Sequence, residues 1–173
     1  MRYSNLFAVV LFMVALGVSG SVAADSTTSL TGSYTLDADE SDELSEVFEP
    51  ALEDMGRIRR GIARRVLERQ DGPGERMQIE EGDDAIRIDS SNEPTRTIPL
   101  DGEAVEHENS DGDVVELRAG RENGNLVIYT DSDRGEYTSE YQLSDDGERL
   151  DIVMEMDMDD LSRIVEYRLV YRR

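Results

Sequence analysis

The stretch Leu150-Asp-Ile-Val-Met-Glu-Met-Asp-Met-Asp159 decides what kind of fold this chain builds. Leu150, Ile152, Met154, Met156 and Met158 alternate with Asp151, Val153, Glu155, Asp157 and Asp159. A period of two places the first set on one face of a strand and the nearly all-acidic second set on the other. The stretches on either side repeat the pattern. Tyr137, Ser139, Tyr141 and Leu143 share a face one hairpin earlier, and Val165, Tyr167, Leu169 and Tyr171 oppose Glu166, Arg168 and Arg172 in the last strand.

Upstream, turn signals arrive at short intervals: Glu81-Gly-Asp-Asp84, Ser91-Asn-Glu-Pro94, Asp101-Gly102, Ser110-Asp-Gly-Asp113, Glu122-Asn-Gly124, Ser132-Asp-Arg-Gly135 and Asp145-Asp-Gly147. Short strands between such turns predict a meander of antiparallel hairpins. Leu30 to Leu36 reads as a first strand, with Leu30, Gly32, Tyr34 and Leu36 on one face. About nine or ten one-sided strands exceed what a flat sheet carries before it curls or closes, so the expected fold is mainly β: an antiparallel up-and-down meander closed or half-closed into a barrel. The first strand is then expected to pair with the last.

One segment breaks the strand pattern. From Ser41 to Gln70 the apolar residues Leu44, Val47, Phe48, Ala51, Leu52, Met55, Ile58, Ile62 and Val66 recur at steps of three and four, the spacing of one helix face. Acids crowd its start and arginines from Arg57 to Arg69 its end, the polarity that the helix dipole favours. Ser41 or Asp39 is placed to cap it. Pro50 predicts a kink, with a short helix to about Phe48 and a longer one from about Pro50 to Gln70, because proline costs about 3 kcal/mol in a helix interior. The apolar stripe is expected to cover the curved sheet.

The chain holds 40 Asp and Glu against 18 basic residues, every one of them arginine, for a formal charge of −22. A lysine-free acidic surface of this kind suits high salt, since dense carboxylates hold water and repel other copies; plain acidic solubility is the other reading. Either way a phosphate backbone would meet a strongly negative field, which argues against nucleic acid as a partner. Residues 1–24 read as a signal peptide: Arg2, the apolar run Leu6 to Val18, then Val22-Ala23-Ala24 before the expected cleavage site. The run is short for a membrane span, which takes about 20 residues. Residues 25–173 remain as a single domain, expected in the periplasm or secreted to the medium. Its 0 cysteines exclude disulfides and a cysteine-borne lipid anchor, so stability rests on the core.

Gly32-Ser-Tyr34 in a first strand, a helical segment, and then an up-and-down meander together resemble the lipocalin-like (calycin) barrels, in particular the small secreted lipocalin-like domains of bacteria. This chain departs from them by carrying Tyr34 where lipocalins carry the tryptophan of Gly-x-Trp, and by ending in a strand rather than a helix. The resemblance implies that a late-strand arginine, Arg168 or Arg172, packs across Tyr34 as a cation over an aromatic face. It also implies a binding protein, since the family holds small apolar molecules inside the barrel and some relatives inhibit proteases.

Few residues suggest catalysis. His107, the only histidine, sits between Glu106 and Glu108 in a polar hairpin and has neither a nucleophile nor an orienting group in view, so it is read as a solvated loop residue. Asp37-Ala-Asp-Glu-Ser-Asp-Glu43 begins like a calcium loop, yet Asp42 stands where that loop needs glycine and Phe48 where it needs a bidentate glutamate; it is read as a turn and cap. Asp157, Asp159 and Asp160 read as a solvated strand end. No cofactor or metal is expected, and the chain is read as non-enzymatic.

The candidate ligand-binding residues are Met154, Met156 and Met158, whose flexible thioethers suit an adaptable cavity, with Tyr137, Tyr141 and Tyr167 beside them and Arg64 of the arginine run as an anchor for an anionic group. The same methionines also describe an ordinary core, and the arginines can equally pair with barrel carboxylates. The expected function is therefore an exported carrier of a small apolar or amphipathic molecule. The alternative is an envelope interaction or structural module with a packed barrel and no ligand.

Overall fold

In the computed structural model, which describes residues 28–53, 56, 60, 73–159 and 161–173, every alternating stretch becomes a strand. They are β1 (Gly32–Leu36), β2 (Arg76–Glu81), β3 (Ala85–Ser90), β4 (Glu93–Pro99), β5 (Val105–Glu108), β6 (Val114–Glu122), β7 (Asn125–Ser132), β8 (Gly135–Leu143), β9 (Arg149–Met158) and β10 (Val165–Arg172). All pairings are antiparallel and the sheet order is β4-β3-β2-β1-β10-β9-β8-β7-β6-β5. The first strand pairs with the last, Thr35 opposite Arg172 and Leu36 opposite Tyr171, so the meander winds into a nearly closed barrel. Its two sheet edges, β4 and β5, face each other across an open seam. Glu93 of β4 bridges it by accepting hydrogen bonds from the Ser110 backbone N–H and hydroxyl, both at 3.1 Å.

Turn chemistry explains the hairpins. In the two-residue connection between β6 and β7, Asn123 and Gly124 take φ of 51° and 89°, the left-handed conformations that match strand twist and that Asn-Gly adopts at least cost. Inside, the register aligns the apolar rows. Ile79 stands opposite Ile88, Ile86 opposite Ile98, and Tyr141 opposite Ile152, all buried.

One end of the barrel is packed solid. Leu30, Ile79, Ile86, Leu117, Leu126 and Ile128 are almost fully excluded from solvent there, and Glu81 of β2 pairs with Arg121 of β6 across the barrel. The same glutamate accepts the Leu30 N–H at 2.9 Å, which ties the incoming chain into the plug.

Tyr34 also belongs to this end. It is buried and donates to Leu30 O at 2.7 Å, and the arginine over its ring is Arg173, with Cζ 5.4 Å from the ring centroid. This corrects the expectation of Arg168 or Arg172. Strand alternation gives residue 173 the parity of the inward Tyr171, and sends 168 and 172 outward. Outside, Arg172 pairs with Asp37 at 2.7 Å, and Arg168 approaches Asp151 at 3.7 Å. Arg172 holds the Asp37 carboxyl below its ordinary range by hydrogen bonding to its charged form.

The opposite end is covered by α1 (Leu44–Glu53). Phe48, Ala51 and Leu52 are buried against Val165, with Leu44, Val47, Met156, Leu161 and Tyr167 around them. The rings of Phe48 and Tyr167 lie 6.1 Å apart at 50°. The helix does not divide at Pro50, contrary to the sequence expectation. Pro50 is exposed, and burial of residues on both sides of it holds the helix through the missing N–H.

Nor does Ser41 cap the helix. Its hydroxyl accepts the Val170 N–H at 2.9 Å and donates to Asp37 O at 2.7 Å, while Asp42 takes the Arg168 N–H at 2.7 Å. The Asp37–Asp42 turn therefore continues the pairing along β10. Most of the expected second helix, including Arg64, and all of residues 1–24 lie outside the described residues. Among the described residues no helix is long and apolar enough to cross a membrane.

Candidate functional site

Between the packed end and α1, the side chains do not fill the barrel. A cavity of about 390 Å³ lies there, walled by Ile152 and Met154 of β9, Tyr167, Leu169 and Tyr171 of β10, and Tyr137, Ser139 and Tyr141 of β8. Each strand supplies its inward parity, and the pairings Met154 to Ser139 and Met154 to Tyr167 bring these residues into one patch.

A second cavity, of about 480 Å³, adjoins it under the seam side, walled by His107 of β5, Val115 and Leu117 of β6, Thr130 and Ser132 of β7, and Met158 of β9. Arg96, Tyr137 and Thr130 line both. Both volumes fall in the range of about 300–1,000 Å³ that holds small ligands.

Arg96 is the chemically distinctive residue. It sits on β4 opposite the buried Ile88 and donates from Nη2 to the Tyr141 hydroxyl at 2.9 Å. Among the described residues no carboxylate comes within ion-pairing distance of it, although arginines on the outer surface pair freely with acids. A half-buried guanidinium held by a phenol, and with no ion pair among the described residues, can receive an anionic group from the cavity.

The tyrosines divide by partner. Tyr141 is fixed by Arg96, and Tyr171 donates to Gly74 O at 3.0 Å, where the chain enters β2. Among the described residues the Tyr137 and Tyr167 hydroxyls have no hydrogen-bond partner, so they remain open to a bound molecule. Burial pushes the Tyr167 phenol up to about 12, with the neighbouring Tyr137 and Tyr141 adding to the effect, and burial raises Tyr171 as well. The Tyr167 and Tyr171 phenols are therefore neutral donors at ordinary pH.

The sequence candidates therefore separate. Met154, Tyr137, Tyr141 and Tyr167 come together in the first cavity, and Met158 lies in the second with Tyr137. Met156 packs beneath α1 with Phe48 and Val165, away from both. Arg64 lies outside the described residues.

His107 is a correction: it occupies an inward position of β5 next to Val105 in the 105–107 alternation, half-buried, where a solvated loop was expected. Burial, then the charge of Arg96, lowers its pKa from the ordinary imidazole value. Arg96 itself was not singled out from the sequence. The available signal was parity, since it shares a strand face with Ile98. Asp157 and Asp159 are exposed at a strand end, and among the described residues no group of three or more potential metal ligands converges.

No protein-family model matches the sequence, and no curated protein matches it. Solved structures do resemble it. A REP1-NXSQ fatty acid transporter aligns with a TM-score of 0.55 at 12% identity, covering 83% of this chain and 95% of that one. Fatty-acid-binding protein 1 of Echinococcus granulosus gives 0.54 at 16%, covering 83% and 96%. A secretary abundant heat soluble (SAHS) protein from Ramazzottius varieornatus gives 0.57 at 15%, covering 83% and 93%. At such identities the likeness is one of architecture, and together with the strand order it establishes the fold: a nearly closed ten-stranded antiparallel barrel of lipocalin-like architecture.

Proposed function

We propose that this protein is an exported, non-enzymatic carrier of a small amphipathic molecule with an anionic head and an apolar body. The observation that carries the reading is Arg96, an inward cation held by Tyr141, unpaired among the described residues although Glu93 and Asp111 line the same cavity, and facing an apolar wall of Ile152, Met154 and Leu169. A carboxylate is the natural occupant, because a guanidinium in a partly desolvated wall gains charge-assisted hydrogen bonds from it. The apolar body gains by leaving water, at about 25 cal/mol per Å² buried. The fatty acid transporter and the fatty-acid-binding protein among the similar structures support this ligand class. The packed-barrel alternative loses weight because side chains leave two cavities open.

Competition against an environment-sensitive dye tests the reading. Hexadecanoate is expected to displace the dye, and Arg96→Gln to weaken the acid about ten- to a hundredfold, the scale of a hydrogen bond to a charged group, while leaving its methyl ester unchanged. An acid that never displaces the dye, or binds the variant equally well, would refute the anchor. Export rests on the pattern of residues 1–24, and a mature protein beginning at Asp25 by mass spectrometry is the expected result.

A further inference from the structure

The amphipath reading accounts for the first cavity but leaves the second, larger one without a role. We infer that the second cavity selects a neutral polar substituent close to the carboxylate, so that the preferred ligands are hydroxylated near the head, as in β-hydroxy fatty acids. The inference rests on the proposed carrier function and narrows its ligand class.

Three observations support it. Arg96 lines both cavities, so a carboxylate held there stands at their junction. With the tail in the methionine and leucine cavity, only atoms within a bond or two of the carboxylate can enter the other. The second cavity also offers hydrogen-bonding groups with nothing to bind. Among the described residues neither the His107 ring nor the Thr130 hydroxyl has a hydrogen-bond partner, and both line it. Thr130 stands in register with Leu117 on one side and Tyr137 on the other, which fixes its inward direction at the junction.

The charge of the wall then chooses among polar groups. Glu93 and Asp111 line both cavities beside Arg96, and the second adds Asp113 and Asp133 against Arg134 alone, which is already paired with Asp113 at 3.3 Å. A second anion would meet net negative charge, whereas a hydroxyl can both donate and accept. Neutral imidazole and threonine complement it in both senses.

The experiment compares hexadecanoate, β-hydroxyhexadecanoate, ω-hydroxyhexadecanoate and hexadecanedioate by dye competition on the purified, delipidated protein. The β-hydroxy acid is expected to bind about three- to tenfold tighter than the plain acid, the range of one neutral hydrogen bond. The ω-hydroxy acid and the diacid are expected to bind more weakly than the plain acid. His107→Leu is expected to reduce the β-hydroxy preference while leaving hexadecanoate affinity within about twofold, since His107 lines the second cavity and not the first. The comparison of acids on the unaltered protein needs no variant to fold. Plain acid binding with no β-hydroxy preference, or with the ω-hydroxy acid preferred, overturns this inference alone. Failure of every acid to bind overturns the carrier reading and this one with it.

Discussion

A Cβ on Gly32 would stand 2.6 Å from Arg173 Nε, so a side chain at residue 32 forces the guanidinium to shift from its place over Tyr34. Gly32→Ala and Arg173→Ala are each expected to cost about 1–2 kcal/mol through the lost cation–π contact and hydrogen bonds. Urea unfolding of the double variant should give a loss close to the larger single one, and additive losses would mean the two residues act apart. The Gly-x-aromatic signal at Gly32 and Tyr34 was legible in the sequence, but its partner was legible only as a parity: Arg173 lies one residue beyond the strand's last paired position. Arg96 was hidden for the same reason, because an arginine at an inward position reads like any exposed one until the register with Ile88 is known. The buried phenols supply a pH signature. Tyr167 has a folded pKa of about 12 against 10.0 for the free phenol, so it binds its proton more tightly in the folded state. Stability from it is intact below pH 10 and is lost as the pH rises toward 12, by about 2–3 kcal/mol if the group acts alone. Ultraviolet phenolate titration should show a late-titrating group whose ionisation coincides with alkaline unfolding, and ordinary titration of every tyrosine in the folded state would contradict the burial.

Helix α1 is the element whose cost and benefit are both visible. Its buried side, Phe48, Ala51 and Leu52, closes the cavity end, and its exposed Pro50 removes an intrahelical hydrogen bond. Pro50→Ala is expected to raise stability by about 1–3 kcal/mol, since alanine restores the N–H and relieves the ring clash. Phe48→Ala is expected to lower it by about 3–5 kcal/mol if the helix unfolds together with the barrel. Thermal melts of the two variants should move in opposite directions. The strands were the most legible elements, because alternation in β8, β9 and β10 carries over from sequence to structure, save at Val170, an outward position buried beneath the Asp37–Asp42 turn. The helix was less so. Its stripe was plain, but the rule that proline ends helices lost to packing on both sides of Pro50, and Ser41 was drawn from its capping role into pairing with β10 by Asp37 and Val170.

At the scale of the whole molecule, a chain without cysteine closes its barrel by pairing β1 with β10, by the Glu81 and Arg121 pair at one end and by α1 at the other. Its formal charge of −22 sets carboxylates against one another over the surface, and the exposed pairs of Arg87 with Glu80 and Arg134 with Asp113 offset only part of that repulsion. Salt screens such repulsion over about 10 Å at 0.1 M and about 3 Å at 1 M, so the melting temperature should rise between these concentrations; a flat or falling profile would remove the basis for reading the surface as salt-adapted. The barrel form and the apolar rows followed from periodicity, while the cavities did not, because hydrophobic pattern specifies which residues face inward and not whether they meet. Whether they hold an amphipath is the central claim, and a crystal structure of the protein grown with hexadecanoate tests it most directly. The expected result is a carboxylate hydrogen-bonded to Arg96 and Tyr141 with the tail along Ile152, Met154 and Leu169, and a barrel whose inner side chains close over these positions and leave the acid outside would contradict it.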